Sequence, residues 1–335
     1  MKSVVGEQLG PPENYHLVEV PEPEPGPGEI KVAVQVAGMG YVDALVAAGK
    51  YQVRPPTPYV PGMEIAGVVT AVGAGVARPE IGDRVTASGF GGGLAEYAVV
   101  AANAACVIPE QLDLRAAAGF LVNYTTAWHA LVDRAQLRAG ETVLVLGAAG
   151  GTGIAAVQVA RMAGARVIAG ASTDEKRRFA QSHGAHDVLD YSQPEWRTTL
   201  KDLTDGRGVD LVFDPVGGDL MEPAFRSLAW RGRHLVIGFA GGPIPSLPIN
   251  LALLKGASLM GVDLRQFSAV HEPGAAAEVR SRLLDAVRRG DLRPAVGACF
   301  PLEDFRAAMA MAGGRGGLGK TVVQIRNPQA PVAGR

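Results

Sequence analysis

The stretch TVLVLGAAGGTG, Thr142 to Gly153, decides the fold. Thr142 to Leu146 is a short β-branched and aliphatic run, the composition of a strand covered on both faces. It stops at Gly147. Gly147, Gly150, Gly151 and Gly153 then remove side chains where a chain must turn sharply, and Ile154 to Ala163 takes up an apolar helical period. Such a strand, turn and helix N-terminus leaves backbone N–H groups unpaired at the positive end of a helix dipole. A pyrophosphate can settle there without any Lys or Arg. The spacing only approximates G-x-G-x-x-G, and a glycine turn alone is also compatible with an ordinary βαβ loop. The continuation favours dinucleotide binding, because Arg166 to Ala169 reads as a second strand and completes a βαβ unit of the expected length.

The end of that second strand bears on the choice of cofactor. An NAD site carries Asp or Glu there for the ribose 2′-hydroxyl, whereas this chain has Ala171 and Ser172. Ser172 can donate to a phosphate, and Lys176, with Arg177 and Arg178 beside it, brings positive charge one helical turn later. This pattern favours NADPH. The alternative is that Lys176 to Arg178 form the solvated face of a helix starting at Thr173, the reading that suits Arg178.

With 335 residues and 47% hydrophobic residues, the chain can fill two cores. A net charge of −1 gives no footprint for nucleic acid or an anionic membrane. Cys106 and Cys299 stand alone, which suggests neither a disulfide framework nor a cysteine metal knot and suits a reduced, cytoplasmic setting. Met1 to Gly10 lacks a signal-peptide pattern, and no apolar run approaches a membrane span.

Upstream, residues to about Pro27 end in VEVPEPEPGPGE, which reads as a polar edge connection. Strand signals follow at Glu29 to Ala37, Ile65 to Val72, Arg84 to Ala87 and Ala95 to Val100, separated by turns such as Gly89 to Gly93; they suggest a compact, partly open β-barrel. Leu114 to Ala118 opens a helical pattern that Tyr124 to Ala135 continues. Beyond the glycine turn, strands at Asp187 to Leu189, Val209 to Phe213 and His234 to Ile237 alternate with helices at Pro194 to Leu203 and Asp219 to Leu228, as an open parallel sheet requires. Ser258 to Val262 reads as its last strand, Ala275 to Gly290 as an amphipathic helix, and Lys320 to Ile325 as a closing strand that rejoins the first domain.

Several motifs in order, GYVDALVAAGKYQVRPPTPYVPGMEIAGVV (Gly40 to Val69), GAAGGTGIAAVQ (Gly147 to Gln158), STDEK (Ser172 to Lys176), DPVGGD (Asp214 to Asp219) and GRHLVIGFA (Gly232 to Ala240), resemble the medium-chain dehydrogenase/reductases, within them the zinc-free quinone oxidoreductases of zeta-crystallin type. The resemblance covers nearly the whole chain. It implies an α/β protein with a GroES-like, partly open β-barrel catalytic domain (1–122), a Rossmann doubly wound parallel sheet that binds NADPH (123–263), and a C-terminal return to the catalytic domain (264–335). Carried over, Gly150, Gly151, Thr152 and Gly153 would hold the pyrophosphate, and Ser172, Lys176 and Tyr191 the 2′-phosphate. Gly238, Phe239 and Ala240 would line the path to the nicotinamide. Thr126 would face the nicotinamide, unless it is a helix cap, and Lys320 would approach the cofactor.

Zinc enzymes of the superfamily have Cys where this chain has Ala37 and His where it has Met63, and Glu64 alone cannot build a tetrahedral site. The expectation is therefore no metal, and hydride delivery from NADPH to an electron-poor small molecule, a quinone or an enone. Typical members have Asn at Gly40 and some have Tyr at Leu45. Tyr51, in the motif GKY, aligns with the proton donor ascribed to enoyl thioester reductases and is a candidate acid here, with Tyr41 and Asp43 near the expected cleft. An enoyl thioester reductase and a non-catalytic NADPH-binding protein are the alternatives. Pairing through the exposed strand Ser258 to Val262 would give a homodimer.

Overall fold

The computed structural model describes residues 1–326, and the chain divides into two compact units, Met1–Val122 with the chain from Pro294 onward, and Asn123–Arg293. In chain order the first unit begins with β1 (Lys2–Gly6), β2 (Tyr15–Glu19), β3 (Glu29–Met39), α1 (Tyr41–Ala47), β4 (Glu64–Val72), β5 (Arg84–Ser88), β6 (Tyr97–Ala101), β7 (Ala105–Val107) and α2 (Leu114–Ala117). Then come α3 (Leu121–Trp128), β8 (Thr142–Val145), α4 (Gly151–Met162), β9 (Arg166–Ala171), α5 (Asp174–Ser182), β10 (Asp187–Asp190), α6 (Trp196–Leu203), β11 (Val209–Asp214), α7 (Met221–Arg226), β12 (Leu228–Val236), α8 (Asn250–Lys255), β13 (Ser258–Gly261) and α9 (Pro273–Arg289). The chain closes on β14 (Val296–Pro301), α10 (Phe305–Gly313) and β15 (Lys320–Gln324).

The first unit is built on β3. One of its edges pairs antiparallel with β4; the other is shared, with β6 along Glu29–Ala33 and β15 along Val36–Met39. The sheet order β14-β15-β3-β4-β5-β7 encloses an apolar interior of Ile30, Val32, Val34, Ile65, Val69 and Val85, the inward residues of alternating strands. The N-terminal stretch departs from the sequence reading. Only its proline-rich part is a plain connection; β1 and β2 pair as an antiparallel ribbon, with Val4 and Tyr15 fully buried and the Tyr15 hydroxyl donating to the Ala47 carbonyl at 2.8 Å. Two short strands flanking a turn have too little periodicity to stand out.

The second unit holds six strands in the order β10-β9-β8-β11-β12-β13, all parallel. From β8 the chain winds one way to β9 and β10, and from β11 the other way to β12 and β13. The switch point between β8 and β11 is where open α/β sheets bind ligands, outside the carboxyl ends of their strands. Leu144, Ile168, Val212, Phe225 and Leu251 belong to the core.

Three helical readings need correction. The pattern from Leu114 is broken into α2 and α3, and α3 runs into a π-helical turn over His129–Arg134. The helix expected over Asp219 to Leu228 is a short 3₁₀ turn followed by α7, and Leu228 already opens β12. Finally, residues 264–293 do not join the first unit. The apolar face of α9 (Ala276, Val279, Leu283 and Leu284) is buried, and the Gln158 side chain of α4 exchanges two hydrogen bonds with the Arg293 backbone, at 2.9 Å and 2.8 Å. The last nine residues of the expected C-terminal span, 327–335, lie outside the described residues.

Candidate functional site

In the second unit, the turn after β8 is fixed by close contacts. Gly147 has φ +58°, a conformation that favours glycine, and its N-terminal neighbour Leu146 donates to the Phe213 carbonyl at 3.0 Å. A Cβ on Gly153 would lie 2.2 Å from the Gly147 carbonyl oxygen, so glycine there is what lets α4 start against the turn. Gly150, the N-cap of α4, is different: the nearest atom to a Cβ there is 3.5 Å away, so its lack of a side chain keeps the turn open rather than satisfying the protein. Residues 151–153 form the first helical turn, whose N–H groups have no intrahelical acceptors. The Thr152 hydroxyl, expected at the pyrophosphate, donates instead to Asn123 Oδ1 at 3.0 Å, which leaves only its backbone N–H for a phosphate. This cradle fits an anionic diphosphate.

At the neighbouring strand ends, the register pairs Ala171 of β9 with Asp190 of β10, so that Ser172 and Tyr191 follow side by side. A Cβ on Gly170 would come within 3.1 Å of the Tyr191 ring. Lys176 lies in the first turn of α5, where its N–H donates to the Thr173 N-cap hydroxyl. The flanking cations are committed: Arg177 pairs with Asp190 at 2.9 Å, and the exposed Arg178 with Asp174 at 2.8 Å. Asp190 also accepts from the Ser192 N–H and hydroxyl, contacts that hold its carboxyl below its usual value despite some desolvation.

Beyond β11 and β12 two loops run together. The N–H groups of Gly238, Ala240 and Gly241 donate to the carbonyls of Asp214, Pro215 and Val216, and a Cβ on Gly217 would lie 2.9 Å from the Phe239 ring. Buried Asp214 anchors this turn: Oδ1 accepts from the Val216 and Gly217 N–H groups at 2.8 Å and 2.7 Å, and Oδ2 lies 3.0 Å from Nε2 of the fully buried His234. The sequence reading missed this pair. Val216 in turn reaches Gly147, where a Cβ would meet its Cγ2 at 3.0 Å. Thr126 is buried inside α3, not at its start, so it is no N-cap. His129 stacks on Phe267 at 3.8 Å between ring centroids, the surroundings of a structural histidine.

In the first unit, the register sets Thr321 opposite Met39 and Glu64 opposite Gly38, so β15 and β4 flank β3 just where its side chains disappear. Lys320, at the head of β15, crosses β3 there, and its ammonium donates to Glu64 Oε2; Glu64 Oε1 accepts from the Val122 N–H at 2.9 Å. Lys320 is 5% exposed and Glu64 1%. Lys320, which the family likeness sets where the closing strand approaches the cofactor, spends a hydrogen bond of its ammonium on a buried carboxylate of its own unit. Asp43 in α1 accepts from the Gly40 and Met63 N–H groups at 2.8 Å and 2.7 Å. Burial pushes its carboxyl up to about 6, opposed by the charge of Lys320 and by those two hydrogen bonds. Tyr41 opens α1 and is half-buried; half-buried Tyr51 packs on the core, its ring 6.3 Å from that of Phe90.

Zinc does not fit here. Ala37 and Met63 offer no suitable ligand, both oxygens of Glu64 are engaged, and among the described residues no group of three or more His, Cys, Asp or Glu side chains could hold a metal. Among the same residues no helix is long and apolar enough to cross a membrane.

Two family models match the chain, the alcohol dehydrogenase GroES-like domain over residues 26–110 and the zinc-binding dehydrogenase over 151–279. The quinone oxidoreductase-like protein 2 of Rattus norvegicus is 40% identical over 89% of this chain and 85% of its own length. The quinone oxidoreductase of Thermus thermophilus, solved alone and with NADPH, shares 37% identity and a TM-score of 0.84, covering 97% of this chain and 100% of that one. A structure described as an NAD-dependent alcohol dehydrogenase reaches a TM-score of 0.90 at 30% identity, covering 97% of this chain and 100% of that one. With its glycine turn, its doubly wound sheet and these relatives, the chain belongs to the medium-chain dehydrogenase/reductases and is a quinone oxidoreductase-like oxidoreductase.

Proposed function

We propose that the chain is an NADPH-dependent oxidoreductase that passes hydride, without zinc, to a quinone or another electron-poor enone. The observation that carries the cofactor choice is the pair of strand ends after β9 and β10, where Ser172, Lys176 and Tyr191 gather and Asp190, the carboxylate nearby, is spent on Ser192 and Arg177. Such a site suits a 2′-phosphate, and its nearby carboxylate is already engaged.

NADPH, when bound, supplies the hydride. The N–H groups of Gly151, Thr152 and Gly153, with the open backbone of Gly150, hold the pyrophosphate; Ser172 and Lys176 hold the 2′-phosphate beside the Tyr191 ring. Gly238, Phe239 and Ala240 line the path toward the nicotinamide, their loop kept in place by the Asp214–His234 pair, and Thr126 faces the ring. With no donor set for a Lewis-acidic metal among the described residues, the protein contributes position and a proton. The test is NADPH oxidation with panels of quinones, enals and enoyl thioesters, in the presence and absence of a chelator. Turnover of quinones or enals that a chelator leaves intact is the expected result.

The half-buried phenol of Tyr51 keeps an enoyl thioester reductase as a second reading, with Tyr41, the first residue of α1, as a further candidate acid. If thioesters turn over and Tyr51→Phe abolishes that turnover, Tyr51 is the proton donor and alkene reduction becomes the assignment.

A homodimer through β13 is also proposed. This strand is the sheet edge, and Leu259 on it, with Ile249, Leu253, Leu254 and Trp230 around the same edge of the unit, is exposed. Sedimentation of Leu259→Lys as a monomer against a wild-type dimer is the expected outcome; a wild-type monomer overturns the proposal.

A further inference from the structure

The two loops at the switch point of the second unit are held by contacts that start inside the sheet. β11 and β12 run parallel, with Val212 opposite His234 and Asp214 opposite Val236. Residues two apart on a strand share a face, so the His234 ring lies on the same face as the Asp214 carboxyl, one step back along the strands. Its Nε2 is 3.0 Å from Asp214 Oδ2, and both side chains are buried, the histidine completely.

Asp214 and Val236 end their strands, and the loops beyond have no ladder to fix them. Asp214 takes over that task. Its Oδ1 accepts from the Val216 and Gly217 N–H groups at 2.8 Å and 2.7 Å, and its backbone carbonyl from the Ile237 N–H at 2.9 Å. Val216 reaches the glycine turn, where a Cβ on Gly147 would meet its Cγ2 at 3.0 Å; a Cβ on Gly217 would lie 2.9 Å from the Phe239 ring. One carboxylate thus sets a turn that packs on both the glycine turn and the Phe239 loop.

The carboxylate is in turn oriented by His234. Because a carboxylate only accepts, the imidazole proton sits on Nε2. Nδ1 is buried with no hydrogen-bond partner among the described residues, and the Phe225 ring of α7 lies 6.0 Å from the imidazole between centroids. A proton on Nδ1 would be a buried donor without an acceptor, a cost that keeps the ring in its Nε2–H form, aimed at Asp214.

We propose that His234 is a positioning residue for NADPH, holding the Asp214 carboxylate so that the turn through Val216 and Gly217 is already in its binding geometry before the cofactor arrives. The inference rests on the cofactor reading above and extends it to a residue that acts only through Asp214. Preorganisation of this kind lowers the cost of ordering the loops on binding, and so it is read in cofactor affinity.

The experiment uses the full chain. In the cofactor-free wild type, proton–nitrogen correlation spectra of the imidazoles should show His234 as the Nε2–H tautomer, its signals assigned by their loss in His234→Gln. The glutamine amide nitrogen can stand where Nε2 stands and still donate, whereas His234→Leu keeps apolar volume and removes the donor. Hydrogen exchange of the Val216 and Gly217 amides should quicken about tenfold or more in His234→Leu and stay near wild type in His234→Gln. By calorimetry, NADPH should bind His234→Leu about tenfold more weakly and His234→Gln within about threefold of wild type. Asp214→Asn, which has no charge to leave unpaired, keeps the test open if His234→Leu does not fold: the same two amides should exchange faster and NADPH should bind more weakly. Equal NADPH affinity in wild type and His234→Leu, unchanged exchange at Val216 and Gly217, or a His234→Gln variant as weak as His234→Leu overturns the proposal. A wild-type chain that binds no NADPH refutes the cofactor reading itself, and the proposal falls with it.

Discussion

Lys320 and Glu64 sit on β15 and β4, which are not neighbours in the sheet, and their side chains meet across β3 beside Gly38, where a Cβ would lie 1.8 Å from the Ala118 carbonyl oxygen and 3.1 Å from Lys320 Cε. The pair is nearly solvent-free, so removing one partner strands a charge. Lys320→Met alone should cost about 3–5 kcal/mol in denaturant unfolding, and adding Glu64→Gln should recover most of that loss. Equal costs for the single and double variants would mean that the lysine stem, not the charge pair, matters.

Asp43 gives a signed pH dependence. Its carboxyl titrates at about 6 in the folded chain against 3.8 ordinarily, so the folded state binds the proton more tightly than the unfolded one. The group therefore favours folding below about pH 4, and that contribution is lost as pH rises through about 6. Between pH 4 and 7.5 the stability of wild type relative to Asp43→Asn should fall by about 2.5 kcal/mol. A constant difference, measured by urea unfolding at several pH values, contradicts the assignment.

Gly153 and Gly150 separate structure from binding within one turn. Gly153→Ala drives a methyl into the Gly147 carbonyl and should destabilise the chain by about 2 kcal/mol or more. Gly150→Ala meets nothing closer than 3.5 Å, so its melting temperature should stay near that of wild type while NADPH binds more weakly, by calorimetry. Equal NADPH affinity in Gly150→Ala and wild type would move the pyrophosphate off this turn.

Much of this was legible before the fold. The run from Thr142 to Gly153 and the strands that follow have the lengths and β-branched content of a parallel sheet, whose buried strands carry their signal in every residue. The first unit was most legible where strands alternate, as along Glu29 to Ala37; β7 has only three residues, and β1, β2 and β14 carry no clean alternation of apolar and polar residues. Site residues on the glycine turn are adjacent in sequence, and so they could be read together. Lys320 and Glu64, or Asp214 and His234, are brought together by register alone, and no local pattern announces them. Residues 264–293 were misassigned because an amphipathic helix shows that it has an apolar face but not which surface it covers.

Ser172 and Lys176 carry the cofactor prediction. Ser172→Ala with Lys176→Ala should lower the preference for NADPH over NADH, as a ratio of kcat/KM, by about tenfold or more, whereas Arg178→Ala, already paired with Asp174 at the surface, should leave it unchanged. Loss of preference in Arg178→Ala alone would place the 2′-phosphate further along α5.

The most direct test of the account is steady-state oxidation of NADPH and of NADH by the wild-type chain with a quinone and an enal as acceptors, followed by cofactor absorbance. The account predicts turnover of at least one acceptor, with kcat/KM higher for NADPH than for NADH. Turnover with NADH in preference to NADPH, or oxidation of simple alcohols in place of acceptor reduction, would contradict it.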